Sequence, residues 1–258
     1  MTAALRQSLL VFRRQARAGA RDPGPFYVLP MMPALLMTVV FTALFDRITA
    51  VEGFTGAGYD AFLVPGVVVL VALLGGGATS ASLAADLRSG YFDRLRLLPS
   101  GLGSQLAGRL LFEAVRLLPG TIVVLAVGFG FGAEAHNGVA GVAVVAALVV
   151  LLGVAYSGVF YVVATRTHDP QTPFTLQPLG LPLAFLSTAL VPVAVMPTWA
   201  ETIARVNPVS VVVDGAREAM LGDLRSAPVG TAVVVLVAWI ALSEGLAWRT
   251  LAAQIARS

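Results

Sequence analysis

Six long apolar stretches alternate with shorter polar ones along the chain. They run about 26–45, 61–84, 109–131, 139–164, 174–195 and 227–248, each near the roughly 20 residues an α-helix needs to cross a bilayer. The pattern predicts an all-α integral membrane protein of six transmembrane helices, with 1–258 as one domain. Pro30 and Pro33 are expected to kink the start of the first span, and Pro178, Pro182 and Pro192 to interrupt the fifth, because proline removes a ladder donor. Gly75, Gly76 and Gly77 in the second span leave room for a neighbouring helix to approach.

The polar interruptions carry their own periodicity. In 1–25, Leu5, Leu9, Phe12 and Ala16 recur at helical spacing among Arg6, Arg13, Arg14, Arg17 and Arg21. This predicts an amphipathic helix on the cytoplasmic membrane face, its arginines toward anionic lipid. A targeting peptide is rejected, since no apolar core or small-residue cleavage site follows closely. Asp22-Pro-Gly-Pro25 should end the helix. In 86–99, Leu87, Tyr91, Leu95 and Leu98 share one helical face, with Asp86, Arg88, Asp93, Arg94 and Arg96 on the rest. Such a helix either joins two spans along the bilayer surface or docks its adjacent aromatics, Tyr91 and Phe92, into a partner. At the start of the third span, Arg109, Glu113 and Arg116 are spaced four and three, so the acid can pair with either arginine. These charges either snorkel to the interface or line a polar vestibule.

Residues 196–226 are the longest polar connection. Pro197 sits in the first turn of a predicted short helix over 196–206, Asn207-Pro208 makes a turn, and a second helix covers 209–220. Neither is long enough to span, which predicts a hairpin dipping into the outer leaflet. Trp199, Ile203 and Val206 share one face of the first helix. Val209, Val212, Val213 and Ala216 share one on the second, so the two faces are expected to close on each other. Asp214 and Arg217 can pair at i,i+3. The hairpin is either an external gate or a static lid.

Composition narrows the function. Hydrophobic residues make up 57% and charged residues 12%, with a mean hydropathy of +0.85, outside the soluble range. There is no cysteine, and the two histidines, His136 and His168, lie far apart in different loops, so no metal site is expected. All the positive charge is arginine; without a lysine there is no P-loop, and any ATP chemistry belongs on another polypeptide. The pI near 9.8 reflects membrane topology rather than nucleic acid. With the N-terminus inside, Arg6, Arg13, Arg14, Arg17, Arg21, Arg88, Arg94, Arg96, Arg109, Arg166, Arg249 and Arg257 are cytoplasmic. Arg47, Arg205, Arg217 and Arg225 are external, a bias of 12 against 4 in the positive-inside sense. Asp214-Gly-Ala-Arg217 resembles part of the CDP-alcohol phosphotransferase signature. Val211 replaces the acid a turn earlier, however, and the motif falls on the external side. No other spacing supports an enzyme.

This layout resembles the membrane subunit of an ABC transporter, and more closely the type-2 exporter permeases of the daunorubicin-resistance group. Asp86-Leu-Arg-Ser-Gly90-Tyr91-Phe92-Asp-Arg94-Leu95…Pro99, followed by Gly108-Arg109, carries half of the likeness. Pro197-x-Trp199…Asn207-Pro208…Asp214-Gly-Ala-Arg217…Gly222 carries the other. The resemblance implies the type-2 exporter fold, in which 1–25 is the interfacial elbow helix. It implies that 86–99 holds the coupling helix and that 196–226 is the re-entrant hairpin at the outer mouth. It further implies two copies of a separate ATPase subunit holding ATP and Mg, and a second permease chain, identical or a sister. The implied mechanism is alternating access that exports an amphipathic drug, antibiotic or lipid across the cytoplasmic membrane, with both termini inside. An ATP-independent carrier or channel is the alternative. The ionisable residues Glu113, Arg116 and Glu244 lie near the cytoplasmic ends of their spans, which disfavours it.

Overall fold

The structure is a computed structural model, and it describes residues 3–45, 59–91 and 101–257. Helix α1 (Ala3–Arg21) is followed by a π-turn over Gly24–Val28 and then α2 (Leu29–Phe45). Pro30 has no N–H to return to the Phe26 carbonyl, and the Leu29 amide reaches back to Gly24 instead, which gives the wide turn. The second span comes in two pieces, α3 (Tyr59–Leu73) and α4 (Gly76–Arg88), with a turn at Leu74–Gly75 between them. Helices α5 (Leu102–Gly130), α6 (Gly138–Thr167) and α11 (Ala227–Arg257) are long and continuous.

Five helical stretches of the described residues are long and apolar enough to cross a membrane: Gly24–Leu44, Ala61–Arg88, Leu102–Gly130, Gly138–Thr167 and Ala227–Ala256. The fifth apolar stretch is not a continuous helix. It breaks into α7 (Thr172–Leu176), a 3₁₀ turn (Gln177–Leu179), α8 (Gly180–Phe185) and a second 3₁₀ turn (Val193–Val195), as its prolines require. Asp169 caps its start. The Thr172 hydroxyl and the Gln171 and Thr172 amides donate to the carboxylate and hold its pKa below the usual range, with Arg88 acting in the same sense. The broken segment runs antiparallel along the second span. Phe174 lies against Gly77, Gly180 against Leu73 and Ala189 against Gly66. From Gly77 back to Gly66 the helix rises about 16 Å, roughly half the hydrocarbon thickness.

The second span is the axis of the bundle. Of its most apolar window 94% is buried, against 22% for the first span and 28% for the last. Leu63, Val67, Leu70 and Leu73 form one core with Leu148, Val149 and Leu152 of α6 and with the hairpin's second helix. Its glycines are where neighbours touch, as the sequence suggested. A Cβ on Gly76 would sit 2.8 Å from the Phe160 ring, and one on Gly66 would run into the Ala189 backbone. Lipid-level apolar residues such as Leu36, Ile122, Val234 and Leu242 stay exposed on the outer spans.

One sequence expectation is corrected here. No single helix starts at Asp86 and runs toward Pro99: α4 ends at Arg88, Ser89 caps it, and Gly90 turns the chain at φ 66°, a conformation that favours glycine. Asp86 and Leu87 belong to the last turn of the second span, so Leu87 and Tyr91 do not share a helical stripe. Phe92, Arg94, Leu95 and Pro99 lie outside the described residues.

Candidate functional site

Polar side chains gather at two levels of the bundle, with an apolar waist between. At one level, Asp86 at the end of the second span accepts from both Arg14 of α1 and Arg109 of α5. Arg109 is 1% exposed and also donates to Ser82 Oγ at 3.2 Å. Gln15 Nε2 donates to Ser82 Oγ at 2.9 Å, and Ser104 Oγ donates to Gln7 Oε1 at 3.2 Å. Helix α1 is thus docked on the bundle: Gly108 lets it approach until a Cβ there would lie 2.6 Å from Val11 Cβ. The expectation that its arginines all face lipid is corrected at Arg14, which turns inward onto Asp86 and stacks 4.3 Å over the Tyr91 ring. Arg6, Arg13, Arg17 and Arg21 remain exposed. Of the predicted coupling residues, Arg88 is exposed, Gly90 is the turn, and Asp86 and Tyr91 are held against the permease itself.

One turn deeper, Glu113 and Arg116 pair with no exposed side-chain surface beyond 1%. Snorkelling is therefore overturned: the pair points into the bundle because buried partners await it. Arg116 Nε donates to Glu113 Oε2 at 2.9 Å, Nη1 to the Phe26 carbonyl at 3.0 Å, and Nη2 to the Gly75 carbonyl. Thr79 Oγ1 donates to Glu113 Oε2 at 2.8 Å. Arg116 thereby joins two of the places where helices are interrupted, the π-turn before α2 and the break in the second span. A guanidinium suits this, because its fixed fork serves several acceptors at once. At the same break, Gln177 Nε2 donates to the Leu74 carbonyl. Glu244 of α11 is buried farther along, where Ser157 Oγ donates to its Oε1 at 3.3 Å.

An open cavity of about 270 Å³ lies beside the break, lined by Leu29, Pro33, Leu74, Phe174, Gln177 and Leu181 among others. Gln177 is its polar member. No cluster of three or more His, Cys, Asp or Glu among the described residues is placed to hold a metal.

The other level is built by α9 (Thr198–Val206) and α10 (Pro208–Leu221), two short helices where the sequence predicted 196–206 and 209–220. Asn207 Oδ1 caps α10 through the Val209 amide, and its Nδ2 donates to the Leu183 and Leu186 carbonyls at 2.7 and 2.9 Å. Asp214 accepts from Thr188 Oγ1 at 2.7 Å and from Arg217 Nη1 at 3.1 Å. Arg217 also reaches the Phe62 and Thr188 carbonyls and lies 3.7 Å over the Phe62 ring. From the loop before α6, Asn137 Nδ2 donates to the Ala219 and Gly222 carbonyls at the end of α10.

The expected closure of the two hairpin faces is corrected. Val209, Val212, Val213 and Ala216 are fully buried, but against the bundle core. Trp199, Ile203 and Val206 point away, 63%, 39% and 79% exposed. Only the small residues Ala200 and Ala204 of α9 are buried, and Pro208 stands at the apex. Sequence reasoning missed Arg14, Thr79 and Gln177 as members of the polar levels. A lone carboxamide inside an apolar, proline-broken stretch was the available signal for Gln177, since such groups need partners in a membrane.

Polar groups thus tie the helices together at both levels, and an apolar cavity with Gln177 in its wall lies beside the break in the second span. Comparison with known proteins specifies the class: the chain matches the ABC-2 type transporter family over residues 6–221 and belongs to it. It is similar to the daunorubicin resistance ABC transporter permease protein DrrB1 of Streptomyces coeruleorubidus, 28% identical over 226 residues covering 85% of this chain and 78% of that one. It is similar too to the probable doxorubicin resistance ABC transporter permease protein DrrC of Mycobacterium tuberculosis, 27% identical over 235 residues, 91% of this chain and 83% of that one. A putative transport permease, ycf38 of Pyropia yezoensis, is 26% identical over 186 residues, 71% of this chain and 63% of that one. The chain is a type-2 ABC permease of the drug-resistance group.

Proposed function

We propose that this chain is half of the membrane pathway of an ATP-driven exporter of amphipathic compounds. Two copies of a separate ATPase bind ATP and Mg, close on each other, and move the inner ends of the spans. A second permease chain completes the path. The elbow role falls to α1, the coupling role to the segment that leaves the second span at Gly90, and the re-entrant role to α9 and α10. The broken segment over 172–195 then stands as the sixth crossing. Both termini face the cytoplasm across the inner membrane, in keeping with the exposed arginines of α1. Whether the hairpin moves as a gate is part of the same proposal, with Asp214, Arg217 and Asn207 as its attachments to the bundle.

The carrying observation is Asp86. It stands where the second span meets the segment proposed to contact the ATPase, and it is bonded to α1 and α5 together. A push on that segment is thereby delivered to three elements at once. The drug-resistance relatives suggest daunorubicin as cargo. Co-expression with a separate ABC ATPase subunit, sought in the neighbouring reading frames, followed by purification and reconstitution into vesicles should give daunorubicin transport that needs ATP and both subunits. Transport by the permease alone, or transport driven by an ion gradient without ATP, overturns the reading.

A further inference from the structure

The second span is interrupted at Leu74–Gly75, inside a segment otherwise apolar and buried. The Leu74 carbonyl at that break would be costly in a membrane interior without a donor, whereas the Gly75 carbonyl, at the N-cap of α4, opens that helix's own ladder. Leu74 receives its donor from Gln177 of the broken segment, and Gly75 accepts a further one from Arg116 of α5. Gly77 makes room for the Gln177 carboxamide, since a Cβ there would overlap it. Gln177 also stands in the cavity wall with Leu74 and Phe174. One piece, α4, carries Asp86, and the other, α3, carries Gly66 and the contact to Ala189.

We propose that Leu74–Gly75 is a joint and that Gln177 is the positioning residue that couples it to the cavity. Arg116 fixes the joint to α5 and, through the Phe26 carbonyl, to the first span. Gln177 fixes the other side to the broken segment. Movement of α4 is transmitted to the cavity wall only while the Gln177 carboxamide donates to Leu74. Without that bond α4 swings and the wall stays behind. The transport role of this movement rests on the exporter reading above; the joint itself does not.

Two variants separate the donor from the volume. Gln177→Leu and Gln177→Met both keep about the size and lose the donor, one with a branched and one with an unbranched side chain. Both are compared with the parent in lipid nanodiscs, with the co-purified ATPase, by hydrogen–deuterium exchange of backbone amides. Exchange across 70–82 is expected to rise at least tenfold in both variants while 140–165 stays as in the parent. ATP hydrolysed per daunorubicin moved should rise at least fivefold. Parental exchange across 70–82 in either variant overturns the proposal. A rise spread evenly over the chain also overturns it, because that is the mark of general destabilisation. If no ATPase co-purifies, the exporter reading fails and the exchange measurement still decides the joint.

Discussion

Replacing Arg116 by methionine isolates the energetics of the buried Glu113–Arg116 pair, because methionine keeps much of the volume and none of the donors. In the parent, Arg116 holds Glu113 and the Phe26 and Gly75 carbonyls, and neither member of the ion pair is exposed beyond 1%. Breaking a buried pair by removing one partner costs about 3–5 kcal/mol, since the other charge is left uncompensated. The Phe26 carbonyl, to which Pro30 can return no N–H, adds about 1–3 kcal/mol before relaxation when Arg116 is removed. These costs overlap, so about 4–6 kcal/mol is expected for Arg116→Met, a large part of a typical stability of about 5–15 kcal/mol. The double variant Glu113→Leu/Arg116→Met removes the orphaned charge and should recover about 1–3 kcal/mol of that loss, the Phe26 carbonyl losing its Arg116 donor in both. Unfolding in mixed micelles by SDS titration, followed through the native tryptophans Trp199, Trp239 and Trp248, gives both numbers. An Arg116→Met variant within about 0.5 kcal/mol of the parent refutes the reasoning, and so does a double variant no more stable than the single one.

Other outcomes follow from the same contacts. Arg109→Ala should cost about 2–4 kcal/mol and Arg14→Ala under about 1 kcal/mol, although both pair with Asp86. The Arg109 side chain is 1% exposed and that of Arg14 is 39%; the same SDS titration ranks them. Gly66→Val should lower the folded fraction by overpacking, about 1–3 kcal/mol or more, because the Ala189 backbone cannot retreat easily; detergent size-exclusion of a fluorescent fusion reports it. Val212→Ala should cost about 1–2 kcal/mol and Trp199→Ala under about 0.5 kcal/mol. The difference in their exposure, 0% against 63%, decides the order, and the reverse order would restore a closed hairpin.

Much of the architecture is legible in the sequence because the bilayer fixes lengths. Apolar stretches near 20 residues favour helices long enough to cross, and among the described residues five of the six form them, the proline-rich fifth stretch breaking instead. The turn at Asn207-Pro208 and the short helices around it are local chemistry: a side-chain cap and a proline at N1. The Asp214–Arg217 and Glu113–Arg116 pairs follow from a spacing of three. Tertiary structure alone decided which apolar face meets which, because lipid and protein interior are equally apolar and the spans carry little amphipathic contrast to mark their buried side. It turned the hairpin's second helix onto the bundle and left Trp199 outside. It brought Gln177 to a carbonyl 103 residues away and Arg14 to one carboxylate 72 residues away. No local pattern encodes such partners, which are fixed only by the need of each buried polar group for a donor or acceptor once the helices have packed.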